Sequence, residues 1–315
     1  MSWRWRRTST TSRTHWTRRR RACCASTPIR TAPPEAIHAG DYDLLIYPEL
    51  GIDTRLLPLA ALPLARRQWL AWGHPVTSGL PTMSHYLTPA AMEPIGAVHH
   101  YREQLLTLPG IGTAYRTPDP VTVLTRADLG LPAGPLLVCP QSPFKIHPDQ
   151  DVLLAEAMAA VPGSRLLLFA SERPLALAKL RARLTRSLAT RDVDPARVLV
   201  HPMVPRPRFL QILGAADLML DTRHWSGGNT ALDALFVGLP LVAVESAFMR
   251  GRQSAAMLRL VGLDAAISIH GEGYGACVRS VLEAGRKPWI GAFAALTDGH
   301  GAPAALREQV LAGLA

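Results

Sequence analysis

The 315-residue sequence has few cysteines and lacks any long apolar run. Its four cysteines are Cys23, Cys24, Cys139 and Cys277, and their spacing indicates neither a disulfide framework nor a zinc site. Because no stretch of about 18 consecutive apolar residues occurs, we expect no membrane span. The hydrophobic content of 48% is nevertheless ample for a buried core. These features favour a cytoplasmic protein.

Beyond the first 35 residues the chain carries little net positive charge. The net charge is +10, and residues 1–35 hold nine arginines against one glutamate, which is +8 and leaves +2 for the remainder. This segment has no apolar periodicity and no apolar core of a secretion signal. We predict a disordered Arg-rich tail and interpret it as a non-native start of the chain. Since the charge is confined there, we expect no specific nucleic-acid partner.

Lysine is rare, because only three of the 34 basic residues are lysine: Lys145, Lys179 and Lys287. Lys145 belongs to QSPFKIHP at 141–148, which directly follows an apolar run. An ammonium group at the carboxyl end of a strand is a candidate point charge for a diphosphate. The alternative is an ordinary solvated cation on a loop.

Six short apolar runs alternate with helical patterns from residue 136 onward. Runs that are apolar at every position indicate strands buried on both faces, as in a parallel sheet with helices on either side. In such sheets a ligand lies beyond the carboxyl ends of the strands. The predicted strands are LLVCP at 136–140, LLLFA at 166–170, VLVHP at 198–202, LMLD at 218–221, LVAV at 241–244 and AISI at 266–269.

The fourth of these runs leads into a glycine-rich turn and a helix, in LMLDTRHWSGGNTALDALFVGLP at 218–240. We refer to residues 226–230 as the glycine turn. Gly227 and Gly228 allow a close approach of the backbone, while Asn229 and Thr230 are suited to capping a helix whose amino end attracts an anion. Asp233 lies one turn into that helix, where its carboxylate could bind a ribose hydroxyl. An ordinary capped helix is the alternative interpretation.

Three segments together carry a family resemblance: GHPVTSGLPTMSHYL at 73–87, SPFKIHP at 142–148, and the LDT, GGNTALDAL and GLP motifs within 220–240. Over about residues 41–264 the chain resembles the catalytic region of the family 41 glycosyltransferases, the O-linked N-acetylglucosamine transferase and SPINDLY-like group. The resemblance implies an α/β, GT-B-like fold with two Rossmann-type halves. We expect the N-terminal half to be incomplete and the C-terminal half to be a parallel sheet flanked by helices.

The same resemblance implies an inverting, metal-independent transfer of a sugar, GlcNAc or another hexose, from a nucleotide-diphosphate donor to a protein side chain. The acceptor is usually a Ser or Thr hydroxyl, and in one branch an Asn amide. No cofactor is implied. The partners are a nucleotide sugar, with UDP favoured over GDP, and an acceptor protein. Consistent with this, the sequence has no His-Glu-x-x-His motif and no cysteine cluster of ligand spacing.

Matched position by position, Lys145 corresponds to the family lysine that contacts the donor diphosphate. Asp233 corresponds to the ribose-binding acid, and Val204 and Arg206 fall where the family meets the nucleoside. The remaining implied donor-binding residues flank these positions and are Ser142, Gly227, Gly228, Asn229 and Thr230. The chain departs from the animal enzymes at Gly228, Asn229 and Phe209, which stand in place of His, Thr and His, and at Ser84 and His85, which replace an Asp-Tyr pair.

The group that deprotonates the acceptor is less clearly marked. His74, in a loop after the predicted strand at 69–72, is the candidate catalytic base. Alternatively His74 makes a structural hydrogen bond, and a phosphate oxygen of the substrate accepts the proton. We expect His99 and His100 on an amphipathic helix at 97–106. His147 is expected to be structural, whereas His224 and Trp225 would contact sugar or base, or simply cover the turn.

The predicted organisation is a tail at 1–35, a partial acceptor-side half at 36–125, a nucleotide-sugar-binding half at 126–290 and a C-terminal helical segment at 291–315. Between 41 and 118 the sequence offers strands at DLLIYPEL and QWLAWGHP, and helices at 56–67 and 97–106. No 34-residue repeat is visible. The last helix either crosses back to the first half or lies on the surface.

Two other functions remain open. A nucleotide-binding remnant would bind the nucleotide without releasing it from a sugar donor. A sugar-nucleotide epimerase would interconvert a free donor without an acceptor, and the GHPVTSG loop argues against it.

Overall fold

The computed structural model describes residues 33–297 and 301–314, together with the backbone of residues 22–24. The chain divides into two compact units. Met1–Thr113 together with Gly301–Ala315 forms the N-terminal unit, and Ala114–His300 forms the C-terminal unit. Within the described ranges, no helix has both the length and the apolar character needed to cross a bilayer.

Both units are built from parallel strands and helices. The described strands are β1 Ala22–Cys24, β2 Leu44–Tyr47, β3 Arg67–Ala71, β4 His85–Pro89, β5 Gln104–Leu108, β6 Leu136–Cys139, β7 Arg165–Phe169, β8 Val198–His201, β9 Leu218–Leu220, β10 Leu241–Glu245 and β11 Ile267–Ile269. The described helices are α1 Pro34–His38, α2 Leu56–Ala60, α3 Pro148–Ala160, α4 Pro174–Ala189, α5 Arg206–Ala215, α6 Asn229–Phe236, α7 Gln253–Leu260, α8 Tyr274–Ala284, α9 Ala292–Thr297 and α10 Ala302–Gly313.

The sheet of the N-terminal unit has the order β1-β2-β3-β4-β5, and all its neighbouring strands are parallel. Successive residues of a strand point to opposite faces. Accordingly, Leu45 and Tyr47 join a core that includes Leu56 and Leu59 of α2. Leu44 and Ile46 join a second core, against which α10 packs through Ala305, Leu306 and Val310, together with Leu314 directly after the helix. Of the two roles considered for the last helix, the structure therefore shows the return to the N-terminal unit.

The prediction of a disordered tail over residues 1–35 is wrong where the structure can be described. Ala22–Cys24 pairs in parallel with Leu44–Ile46 of β2, so β1 is part of the sheet. Residues 34 and 35 belong to α1. Residues 1–21 and 25–32 of the predicted tail lie outside the described residues.

The helix predicted at 97–106 is also wrong. A short 3₁₀ turn covers Ala97–His100, and β5 begins at Gln104. The cause is tertiary: the buried carboxylate of Glu103 accepts hydrogen bonds from the Thr77 hydroxyl at 2.6 Å and from the Ser78 amide at 2.8 Å. These bonds fix residue 103 at the entrance of a strand. The strand β4 was likewise not predicted from the sequence.

The helix predicted at 56–67 ends earlier, at Ala60. The Ala60 carbonyl accepts hydrogen bonds from the Thr82 hydroxyl at 2.5 Å and from the Gln68 amide at 3.4 Å. Pro63 follows, and Arg67 already begins β3. Side-chain donors and a proline therefore stop the helix after little more than one turn.

The sheet of the C-terminal unit has the order β11-β10-β9-β6-β7-β8, again with parallel neighbours. All six strands predicted between 136 and 269 are confirmed, with ends that agree within a residue or two. The chain builds the sheet from β6 outward through β7 to β8, and then returns to the other side of β6 with β9. The order therefore reverses between β6 and β9, which is where a doubly wound sheet opens a crevice.

Replacing Glu103 by Gln tests the bonds that start β5. We expect the free energy of unfolding to fall by about 1.5–3 kcal/mol, because the hydroxyl and amide donors of Thr77 and Ser78 lose a charged acceptor. Urea denaturation followed by circular dichroism measures this change. The exposed Glu272→Gln is the control and should change stability by less than about 0.5 kcal/mol. Equal stabilities for both variants would contradict this explanation of β5.

Candidate anion-binding site at the sheet switch point

The two loops that leave β6 and β9 meet at the switch point of the C-terminal sheet. β6 pairs with β9 through Leu137 opposite Leu218 and Val138 opposite Met219. Since the strands are parallel, their carboxyl ends lie at one edge. The loop after β6, residues 141–148, which we call the Lys145 loop, and the glycine turn after β9 therefore start side by side.

The Lys145 loop is held in a tight conformation. Its 3₁₀ turn, Pro143–Lys145, is closed by the Lys145 amide, which donates to the Ser142 carbonyl at 2.8 Å. The side chain of Lys145 is half-buried, and its Nζ lies 5.8 Å from the centroid of the Trp225 ring. Burial lowers the pKa of the Lys145 ammonium, and the Asp221 carboxylate opposes that shift. The structure thus brings a partly desolvated cation next to the loop after β9.

A fully buried carboxylate anchors the glycine turn. Asp221 follows β9 with no exposed surface, and it accepts hydrogen bonds from the Ser226 hydroxyl at 2.6 Å and the Gly227 amide at 2.8 Å. Burial raises the pKa of Asp221, while these hydrogen bonds oppose the shift. Ser254 extends the network, because its hydroxyl donates to the Gly227 carbonyl at 3.0 Å. From the sequence, Asp221 was expected only as the end of a strand. Its place as an acidic residue directly after an apolar run was the one feature of the sequence that could have drawn attention to it.

The two glycines of the turn lie close to side chains of the protein itself. A β-carbon on Gly227 would lie 2.3 Å from Oγ1 of Thr230 and 2.7 Å from Nε2 of Gln141. A β-carbon on Gly228 would lie 2.7 Å from Oε1 of Gln253. Neither glycine has a positive φ. Close packing against the short Thr230 side chain therefore disfavours a larger residue at Gly227, whereas at Gly228 a shift of the flexible Gln253 side chain would make room.

The amino end of α6 differs from the prediction in one respect. Gly228 is the N-cap residue and no side chain caps the helix, so the predicted capping by Asn229 and Thr230 is wrong. The Thr230 hydroxyl instead accepts a hydrogen bond from Nε2 of buried Gln141 at 2.7 Å, and Asn229 is exposed. This bond ties the glycine turn to the Lys145 loop. The first-turn amides of α6 have no partner within the helix, which leaves them suited to an anion.

Asp233 and Arg206 form an ion pair in the same unit. Asp233 is 5% exposed, and its Oδ1 lies 2.5 Å from Nη2 of Arg206. The hydrogen bond to Asp233 raises the pKa of Arg206. The same guanidinium donates to the Tyr115 hydroxyl at 3.4 Å. The structure thus brings together the two residues that the sequence assigned separately to the ribose and the nucleoside.

Val204 and Phe209 occupy the neighbouring segment after β8. Val204 is half-buried in the loop that leads into α5. Phe209, on α5, packs edge-on against Phe169 with ring centroids 5.3 Å apart. An aromatic contact therefore occupies the position at which the resemblance places a histidine in the animal enzymes.

His74 lies in the N-terminal unit and is described with it. The residue follows β3 and is half-buried. Its ring packs against Gly51, since a β-carbon added to Gly51 would lie 3.0 Å from two of the ring atoms. The His74 carbonyl accepts hydrogen bonds from the Tyr86 hydroxyl at 3.0 Å and the Val76 amide at 2.8 Å. These contacts fix the backbone of the loop. The role of His74 as a base stays a prediction.

Replacing Gly227 by Ala tests the packing of the turn. We expect the free energy of unfolding to fall by about 1–3 kcal/mol, because the new methyl group would overlap Thr230 and Gln141. The matched control is Gly214→Ala on α5, where the nearest atom to an added β-carbon is 4.0 Å away. That variant should be unchanged or more stable by up to about 1 kcal/mol. Thermal unfolding that affects both variants alike would contradict the steric argument.

Several curated proteins are similar to this chain in sequence. The probable UDP-N-acetylglucosamine–peptide N-acetylglucosaminyltransferase SPINDLY of Solanum lycopersicum is 28% identical over 207 residues, which cover 61% of this chain and 20% of that protein. The chain thus spans about a fifth of the length of such relatives.

Solved structures show the fold. A mutant O-GlcNAc transferase of Thermobaculum terrenum superposes with a TM-score of 0.76 at 24% identity, covering 89% of this chain and 54% of that chain. Anabaena HepE, in complex with UDP and glucose, has a TM-score of 0.57 at 14% identity, covering 90% and 81%. The predicted GT-B-like α/β fold is confirmed by these similarities.

The family model of Glycosyl transferase family 41 matches residues 109–281. This region contains both loops of the switch point and the Asp233–Arg206 pair. This match covers more than half of the 315 residues, so the chain belongs to glycosyl transferase family 41.

Proposed function

We propose that this chain transfers a sugar, GlcNAc or another hexose, from a nucleotide-diphosphate donor to a protein side chain, with Ser or Thr as the acceptor. The observation that carries the proposal is the meeting of the Lys145 loop and the glycine turn at the sheet switch point. A half-buried ammonium and the first amides of α6 border the same edge of the sheet, and Gln141 links the two loops that carry them. Ligands of doubly wound sheets bind at such an edge.

The proposed reaction is a single displacement at the anomeric carbon. The bond from this carbon to the diphosphate oxygen breaks as the acceptor oxygen attacks from the opposite face, which inverts the configuration. Negative charge grows on the departing diphosphate. Lys145 and the amides of residues 228–230 would stabilise this charge, and preorganised donors of this kind contribute several kcal/mol to lowering a barrier. With this positive charge supplied by the chain itself, the step needs no divalent ion.

We assign the nucleoside to the Asp233–Arg206 pair. Only Oδ1 of Asp233 is engaged by Arg206 at 2.5 Å, so its carboxylate retains capacity to accept a ribose hydroxyl. The backbone of Val204 would contact the base, and Ser142 lies beside Lys145 in the diphosphate part of the site. UDP is favoured over GDP because the relatives are named for UDP-N-acetylglucosamine and HepE was crystallised with UDP.

The acceptor must lose a proton during transfer. His74 is one candidate for the base, and an oxygen of the donor phosphate is the other. A cytoplasmic location, in keeping with the free thiols Cys139 and Cys277, is part of the same proposal.

An assay of nucleotide release separates the proposed activity from its alternatives. The purified chain is incubated with UDP-GlcNAc or a GDP-sugar, with and without Ser/Thr peptides, and free nucleotide and glycopeptide are measured. A transferase releases nucleotide and labels peptide. Nucleotide binding without release would support a non-catalytic remnant, and conversion of the donor sugar without an acceptor would support an epimerase. Either of these two results would overturn the proposal.

Replacing Lys145 by Ala should weaken binding of UDP by about 10–100-fold, because a charge-assisted contact to the diphosphate is worth about 1.5–3 kcal/mol. Isothermal titration calorimetry measures the affinity. The matched control is Lys179→Ala, which removes an exposed lysine of α4 and should leave UDP affinity unchanged. If both variants bind UDP equally, Lys145 does not contact the donor.

Replacing Asp233 by Asn should distinguish contacts to the ribose from contacts to the diphosphate. We expect about 10-fold weaker binding of UDP, while binding of inorganic pyrophosphate stays as in the unmodified chain, because pyrophosphate has no ribose. The control is Asp264→Asn, whose side chain is 65% exposed. Equal losses for UDP and pyrophosphate in the Asp233 variant would contradict its assignment to the ribose.

A further inference from the structure

One side chain of the Lys145 loop and two side chains beside it form a compact cluster that the proposed transfer reaction does not use. His147, Asp149 and His224 each offer a potential metal ligand, and the ligand atoms lie within 4.8 Å of one another. Nε2 of His224 lies 2.8 Å from Oδ2 of Asp149, and Nδ1 of His147 lies 3.4 Å from Oδ1 of Asp149. The two imidazole rings have centroids 4.6 Å apart. The three ligand atoms therefore lie close enough together to bind one ion.

The backbone that carries these ligands is fixed before any ion binds. His147 is the N-cap of α3 and Asp149 lies in its first turn, whereas His224 lies in the loop after β9. Buried Gln150 joins the two segments, because its Nε2 donates to the Asp221 carbonyl at 3.0 Å and its Oε1 accepts from the Arg223 amide at 2.9 Å. Such support is what a preorganised ligand set requires.

The cluster differs from an incidental group of acids. Asp149 and Asp151 form an Asp-x-Asp pair, yet Asp151 is turned to Arg183 at 2.8 Å, so only one carboxylate joins the two histidines. The three ligand side chains are also accessible, with exposed fractions of 54%, 48% and 39% for His147, Asp149 and His224. An ion could therefore reach them from solvent.

We propose that His147, Asp149 and His224 bind a divalent first-row transition metal, with Zn²⁺ as the preferred ion. Two imidazole nitrogens and one carboxylate are a ligand set that suits Zn²⁺, and three protein ligands leave a fourth position for water. Mg²⁺ and Ca²⁺ favour sites built from oxygen ligands and are disfavoured here. The inference rests on this geometry alone and is independent of the proposed sugar transfer.

No metal-binding residue was predicted from the sequence, so this site was not among the sequence predictions. His147 and His224 are 77 positions apart, as their numbers show. Only the contact between the Lys145 loop and the loop after β9 brings them together. The site borders the predicted diphosphate region, since His147 is two residues beyond Lys145 and His224 precedes Trp225, whose ring lies under the Lys145 ammonium.

Titration of the chelator-treated full chain with Zn²⁺ tests the proposal. Calorimetry should show that the unmodified chain binds one Zn²⁺. The variants His224→Ala and Asp149→Asn should bind this ion with at least 10-fold lower affinity. The control is His99→Ala, which removes an exposed histidine of the N-terminal unit and should bind as the unmodified chain does. All variants keep the four cysteines, so any Zn²⁺ held by thiols contributes equally to every isotherm.

Two further measurements guard against a folding artefact. The circular dichroism spectra of the metal-free variants should match that of the unmodified chain. Zn²⁺ should raise the melting temperature of the unmodified chain and of His99→Ala, but not of the two ligand variants, because an ion stabilises only a state that binds it. Identical isotherms for all variants, absence of Zn²⁺ binding, or equally strong binding of Mg²⁺ would overturn the proposal.

Discussion

The buried carboxylate of Asp221 organises the edge of the C-terminal sheet. It lies at the end of β9 with no exposed surface and accepts hydrogen bonds from Ser226 and Gly227, which come five and six residues later. Burying a carboxylate is costly unless its oxygens are hydrogen-bonded, so these donors must stay close to it. The chain is thereby forced to reverse direction before α6 begins. The amino end of α6 and the Lys145 ammonium, which interacts electrostatically with Asp221, consequently border one region.

Two buried glutamines connect the loops on either side of the switch point. Gln141 donates to the Thr230 hydroxyl of the glycine turn, and Gln150 binds both the Asp221 carbonyl and the Arg223 amide. Neutral amide groups can form such links without the desolvation cost of a buried ion pair. The same links position two different groups of side chains. One group consists of Lys145 and the first amides of α6, which are proposed to bind the donor, and the other consists of His147, Asp149 and His224, the proposed metal ligands.

Local pattern was sufficient to predict the strands of the C-terminal unit, because each is apolar at every position and is bounded by turn residues. Contacts distant in sequence decided the features that were missed or wrong. Glu103 starts a strand where periodicity indicated a helix, since Thr77 and Ser78 donate to it. Thr230 was expected to cap α6, but Gln141, 89 positions earlier, binds its hydroxyl instead.

The site residues show the same division. Lys145, the glycines and Asp233 were identified because they stand in short motifs at strand ends. Asp221 and Gln141 support that region from buried positions, and their hydrogen bonds to the glycine turn are not visible in any short motif. The pairing of Asp233 with Arg206 across 27 positions likewise depends on how α5 and α6 pack.

A crystal structure of the chain in complex with UDP would show whether the two loops bind the donor together. We expect the diphosphate within hydrogen-bond distance, about 3 Å, of both the Lys145 ammonium and the backbone amides of residues 228–230. A nucleotide bound away from the β6–β9 edge, or bound there with its phosphates turned away from Lys145, would contradict it.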